Sequence, residues 1–117
     1  MSAVIEINGT PIANKTIVIT RGGDFVEQWS FLDGDGVPQI LLEAKIIVEP
    51  DDADAEEWND VNGRFTNVSD GVYVLDLDVA YTTAITWSTG KYHVYIVEDS
   101  GFIDPCITNG LLFAEDC

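Results

Sequence analysis

The strongest constraint on this chain is its punctuation. Apolar and β-branched segments run for a few residues and then stop at Asn8-Gly9, Gly22-Gly23, Asp33-Gly34, Asp70-Gly71, Thr89-Gly90 or Ser100-Gly101. Dipeptides of this kind supply the positive φ values that tight turns between strands need. Between them the pattern is that of strands. Thr16-Ile17-Val18-Ile19-Thr20 is β-branched throughout. Phe25 to Leu32 places Phe25, Trp29 and Phe31 on one face, and Lys91 to Glu98 alternates cleanly. No amphipathic period long enough for a substantial helix interrupts them, so a parallel strand–helix–strand architecture has no support. The spacing predicts an all-β, antiparallel, immunoglobulin-like sandwich of about seven or eight short strands.

Three segments are ambiguous. Ile40 to Val48 has helical periodicity, but Pro38 and Pro50 bracket it and Ile46-Ile47-Val48 is β-branched, so a strand centred on Lys45 to Val48 is expected. Residues 49–60 carry seven acidic side chains and no basic one. They read as a surface loop with a helical turn over Ala53 to Trp58. Thr82 to Ile85 lacks alternation and suits a second helical turn. Phe102 to Thr108 and Leu111 to Phe113 read as a last, interrupted strand.

With 117 residues, 46% of them hydrophobic, the chain can bury one core and is too short for two. Residues 1–117 are expected to form a single domain. Five Lys and Arg against 21 Asp and Glu leave a formal net charge of -16. That excludes a phosphate-binding basic face, and hence nucleic acid, and it disfavours an anionic membrane surface. The first ten residues show neither a basic region nor a long apolar run, so no secretory leader is expected.

Catalytic parts are scarce. His93 is the single histidine, within Lys91-Tyr92-His93-Val94-Tyr95, and reads as a strand-surface residue. No nucleophile elbow accompanies it. Asp76 and Asp78, two apart on a strand, read as a solvent-facing pair rather than the carboxylates of a glycosidase. Asp33-Gly34-Asp35-Gly36 opens like a calcium loop, yet Ala44 stands where the bidentate carboxylate belongs, so it reads as a turn. Asn67-Val68-Ser69 matches a glycosylation sequon by chance. Cys106 and Cys117 are either two inert thiols or one disulfide tying back the tail, worth about 2–3 kcal/mol. They form no zinc motif. The expectation is a protein that is not an enzyme and carries no cofactor.

The candidate contact residues are Trp58 with Asp51, Asp52, Asp54, Glu56 and Glu57. Trp58 in an acidic loop reads either as an exposed contact anchor or as packed onto its own domain. The carboxylates read as a solvated loop, a weak divalent site or a docking surface for a basic partner. The apolar segments Met1 to Ile7 and Leu111 to Cys117 suit strand addition to a neighbouring subunit.

The order of segments resembles a known group. Arg21-Gly22-Gly23-Asp24-Phe25, an aromatic strand, Asp33-Gly34-Asp35-Gly36-Val37-Pro38 and an apolar strand form one half. Leu75-Asp76-Leu77-Asp78, Thr82-Thr83-Ala84-Ile85, Ser88-Thr89-Gly90-Lys91-Tyr92-His93-Val94-Tyr95 and Asp99-Ser100-Gly101 form the other. Over roughly Ile19 to Phe113 this is similar to the small immunoglobulin-like virion proteins of tailed bacteriophages, above all the N-terminal domain of the baseplate upper protein family. The resemblance implies a virion structural protein, a tail or baseplate adaptor present in many symmetric copies and bound to other virion proteins. A capsid decoration protein is the first alternative. A carbohydrate- or receptor-binding module with Trp58, Tyr81 and Trp87 as stacking platforms is the second.

Overall fold

A computed structural model describes residues 4–11 and 14–116. The tail disulfide reading and part of the terminal strand-addition reading fall on Cys117 and Met1 to Ala3, outside the described residues. Ten strands and one short helix follow in order: β1 Val4–Ile7, β2 Thr10–Pro11, β3 Ile17–Thr20, β4 Phe25–Leu32, β5 Leu41–Pro50, β6 Glu56–Trp58, β7 Phe65–Ser69, β8 Val72–Leu77, α1 Val79–Ala84, β9 Thr89–Glu98 and β10 Ile103–Glu115.

They build two five-stranded sheets, in the orders β2-β1-β4-β8-β7 and β3-β10-β9-β5-β6. The chain crosses between sheets after β2, β3, β4, β6 and α1. This is an immunoglobulin-like sandwich, as the turn spacing predicts. Every strand pairing is antiparallel except β3 with β10, where Ile17 to Thr20 run alongside Leu112 to Glu115.

Alternation along each strand decides what faces inward. β9 buries Tyr92, Val94, Ile96 and Glu98, and β5 buries Ala44, Ile46, Val48 and Pro50. Trp29, Phe31, Phe65, Tyr73 and Tyr92 meet at the centre. Trp29 stands edge-on to Phe65 at 5.7 Å and, across the two sheets, to Tyr92 at 6.4 Å. Phe65 stacks on Tyr73 at 5.1 Å. In these arrangements the positive ring edge meets the negative ring face, and large apolar areas leave water together. Besides Glu98, a second carboxylate is drawn inside, next to the aromatic cluster. Glu27 is buried, 3.3 Å from the Lys15 ammonium and 3.4 Å from Trp29 Nε1. The Tyr92 hydroxyl donates to the Lys15 carbonyl, so the segment before β3 is tied over the inter-sheet gap.

The ambiguous segments resolve as follows. The strand expected around Lys45 to Val48 is present, and as β5 it begins earlier, at Leu41, and runs to Pro50. The helical turn expected over Ala53 to Trp58 is instead strand β6, because Glu56, Glu57 and Trp58 pair with Val48, Ile47 and Ile46. Asp76 and Asp78 are not a pair on one strand face. β8 ends at Leu77, and Asp78 is the N-cap of α1, its Oδ1 accepting the Tyr81 backbone N–H at 2.8 Å. Asp33 closes its turn as expected, accepting the N–H groups of Asp35 (2.8 Å) and Val37 (3.1 Å). The last strand is continuous in conformation but breaks its pairing with β9 between Asp104 and Thr108. Pro105, which has no N–H to give to the ladder, stands in the gap.

Candidate functional site

The acidic segment is a hairpin rather than a loose loop. β5 and β6 form its two sides, and the turn after Pro50 is pinned where Thr89 Oγ1 donates to Asp51 at 2.6 Å. Asp52 and Asp54 are exposed. Glu57 lies 3.5 Å from Lys45 and accepts from Asn59 Nδ2 at 3.3 Å. Glu56 turns towards the domain, where it accepts from the Tyr81 hydroxyl and from Trp58 Nε1 at 3.3 Å.

Trp58 is not an exposed contact. It is fully buried, because on edge strand β6 it alternates with Glu57 and so points to the core side. Its indole N–H donates to the Tyr81 hydroxyl at 2.9 Å, and the Arg64 guanidinium stacks 4.1 Å above the Tyr81 ring. Trp87 is also buried, and its carbonyl accepts from Arg21, which further donates to the Ile85 carbonyl at 3.0 Å and to Ser88 Oγ at 3.1 Å. Two of the three supposed stacking platforms are therefore structural. Among the described residues no three His, Cys, Asp or Glu side chains are arranged to hold a metal ion. No helix is long and apolar enough to cross a membrane.

Three hydroxyls in these clusters resist ionisation. Burial, and then the neighbouring Glu56, push Tyr81 well above the usual phenol pKa. Burial and Glu27 do the same for Tyr92, and burial with Asp60 and Glu43 for Tyr73. The unfolded chain ionises these groups near pH 10, so their contribution to stability is complete below about pH 10 and is lost as the pH rises beyond it. The unfolding free energy is expected to fall above pH 10, chiefly through Tyr81 and Tyr92, by up to about 1.4 kcal/mol per pH unit for each of these two. Denaturant titrations at pH 8, 10 and 11, read with tyrosinate absorbance, check this. A stability unchanged at pH 11 would contradict it.

The second candidate region is the outer face of the sheet β3-β10-β9-β5-β6. Strand alternation sends Val18, Leu111, Phe113, Ile103, Tyr95, Val97 and Ile47 outward there, and Val18, Ile103 and Leu111 are about half exposed. Lys45 lies over the Tyr95 ring at 4.8 Å and 3.8 Å from Glu43. His93 Nδ1 is 3.2 Å from Glu49 on the neighbouring strand. Beside them a shallow hollow of about 360 Å³ is lined by Lys91, His93, Cys106, Asn109 and the interruption of β10 at Pro105. Cys106 is exposed. His93 is thus the strand-surface residue expected, but it belongs to a larger patch that the sequence reading does not identify. The available signal was the unbroken apolar runs Ile46-Ile47-Val48, Val94-Tyr95-Ile96-Val97 and Leu111-Leu112-Phe113. A half-solvated strand would alternate.

The outer face of the other sheet differs. It presents Val26, Gln28, Val74 and Asp76, with no cation or aromatic ring among the described residues.

Comparison with known proteins agrees at the level of architecture. No protein-family model matches the chain, and no curated protein matches it. Among solved structures it is similar to the crystal structure of CopC from Methylosinus trichosporium OB3b, with a TM-score of 0.53 over 97% of this chain and 94% of that one, at 9% identity. At that identity the likeness shows the fold alone, a β-sandwich. It also corrects the function expected above. The near full-length likeness is to CopC and not to a tail, baseplate or capsid protein, so the virion structural assignment does not stand. The carbohydrate-binding alternative fails on geometry as well, since Trp58 and Trp87 are buried.

Proposed function

We propose that this chain is a non-catalytic protein-recognition domain whose binding surface is the outer face of the sheet β3-β10-β9-β5-β6. The observation that carries this reading is the company kept by the exposed apolar groups. Val18 and Leu111 flank Phe113 at one end of this rigid, hydrogen-bonded surface and Ile103 lies against Val97, beside Tyr95, at the other, with Ile47, Lys45, Lys91 and His93 between them. An exposed sheet face that interleaves apolar and aromatic groups with both signs of charge has the mixed character of a reversible protein interface. The outer face of the other sheet also exposes Val26 and Val68, but with no cation or aromatic ring beside them among the described residues.

The acidic hairpin has a supporting part. Asp51, Asp52 and Asp54 sit beside this face at the end of β5, where they extend the negative rim. Their charge sets which partners approach and how that approach depends on salt, while affinity comes from contacts on the sheet itself.

A photocrosslinking amino acid in place of Tyr95, compared with the same group in place of Val26 on the opposite sheet, tests the reading in extracts of the cells that make the protein. Adducts with protein are expected from position 95 and not from position 26. Equal labelling, or none from position 95, would sink it.

A further inference from the structure

We propose that the first occupant of this face is a second copy of the same chain, giving a two-fold, face-to-face dimer through the sheet β3-β10-β9-β5-β6. The inference rests on the reading of that face as a recognition surface and adds the partner's identity.

Charge selects the partner. The outward positions of this sheet carry two cations, Lys45 and Lys91, and four carboxylates, Glu43, Glu49, Glu57 and Glu115. With His93 neutral that is -2, so -14 of the total -16 lies elsewhere on the molecule. Two copies brought together through the acidic hairpin would oppose carboxylate to carboxylate, and the outer face of the other sheet offers no cation among the described residues to answer its Glu6 and Asp76. This face holds both signs alongside exposed apolar and aromatic groups. Lys91 has no carboxylate within 4 Å among the described residues, which leaves its ammonium available to the Glu49 or Glu57 of a facing copy. A patch that holds both signs can complement itself across a two-fold axis, the commonest symmetry of protein assemblies.

Size agrees with a reversible dimer. Five strands about 4.8 Å apart, paired over about eight residues at about 3.3 Å each, give a face of about 600 Å² in projection. That is somewhat below the roughly 800 Å² per partner of a standard interface. Leu111 and Ile103, the most exposed aliphatic groups named in the patch, would lose their water on pairing.

The signature is the direction of the salt effect. The two bodies repel through the -14 that each carries outside the interface, and salt screens that repulsion over about a Debye length, about 10 Å at 0.1 M. Self-association therefore tightens as salt is raised. Docking of a basic protein onto the same acidic molecule would weaken.

Sedimentation equilibrium of the purified chain with Cys117→Ser, from about 10 μM to 1 mM and in 0.05 and 0.5 M NaCl, tests the proposal. The expected result is a mass rising from 12.8 kDa towards twice that value, with a dissociation constant at least about threefold lower in the higher salt. Leu111→Asp and Tyr95→Asp, both at outward positions and so compatible with folding, should return the mass to the monomer throughout. Val26→Asp on the other sheet should leave it unchanged. A monomer at every concentration and salt overturns the proposal, as does a dimer that loosens with salt or survives Leu111→Asp. Monomeric protein combined with adducts from position 95 to a different polypeptide would overturn the dimer and leave the recognition reading in place.

Discussion

Trp29→Ala should destabilise this protein by about 4 kcal/mol, a large share of what a domain of this size possesses. Trp29 is fully buried on β4 and touches elements of both sheets, Phe65 at 5.7 Å and Tyr92 at 6.4 Å. Removing the indole would strip the edge-on contacts from both rings and open a void that neither sheet can close, because each is held by its own ladder. It would also leave the buried Glu27 carboxylate without the indole N–H that faces it at 3.4 Å. Guanidinium denaturation gives the number directly, and the exposed neighbour Val26→Ala provides the reference, with an expected change within about 0.5 kcal/mol. A loss below about 1.5 kcal/mol for Trp29→Ala would mean that the aromatic cluster is not the centre of the core.

Gly71→Ala is the second large effect, at roughly 3 kcal/mol. Gly71 sits at φ +69 in the turn between β7 and β8, and a Cβ there would lie 2.6 Å from the Gln39 carbonyl oxygen, 2.7 Å from the Gln39 nitrogen and 2.9 Å from the Phe31 carbonyl oxygen. All three are backbone atoms that cannot swing aside. They belong to one linked set, since the Gln39 N–H donates to the Phe31 carbonyl at 2.7 Å and the Phe31 N–H donates to the Gly71 carbonyl at 2.8 Å. Gly36→Ala separates the two contributions. Gly36 has φ +79 but nothing within 4 Å of its added Cβ, so only the left-handed backbone cost of about 1 kcal/mol applies. Equal losses at the two positions would show that the crowding around Gly71 relaxes freely.

Much of the fold was legible because its turns are written in glycine. Asp33-Gly34, Asp70-Gly71 and Ser100-Gly101 each mark a chain reversal where the structure has one. The inward set of β9 follows directly from its alternation. The acidic hairpin was harder. Glu56-Glu57-Trp58 has low strand propensity and is a strand only because β5 offers it a partner, which no local pattern records. Trp58 illustrates the same limit, as its burial depends on which side of an edge strand it falls. Asp78 looked like a strand residue until α1 required a cap. The outward apolar face escaped notice for another reason. Runs such as Val94 to Val97 are apolar at every position, and from sequence that signature is shared by strands covered on both sides and strands left uncovered on one.

The single parallel pairing has a consequence for how the molecule is made. β3 lies at residues 17–20, and the strand that completes its ladder lies at 112–115. A ribosome must therefore release every residue from 17 to 115 before the edge of that sheet can close. Until then β3 exposes Ile17 and Ile19, which are wholly covered in the finished domain. Hairpins such as β7–β8 can form early, whereas this closure waits for β10 and bears the loop entropy of a pairing between residues 17 and 112. Maturation on the millisecond-to-second scale of sandwiches rich in distant contacts follows, with a nascent stage in which an open strand edge must be kept from its neighbours.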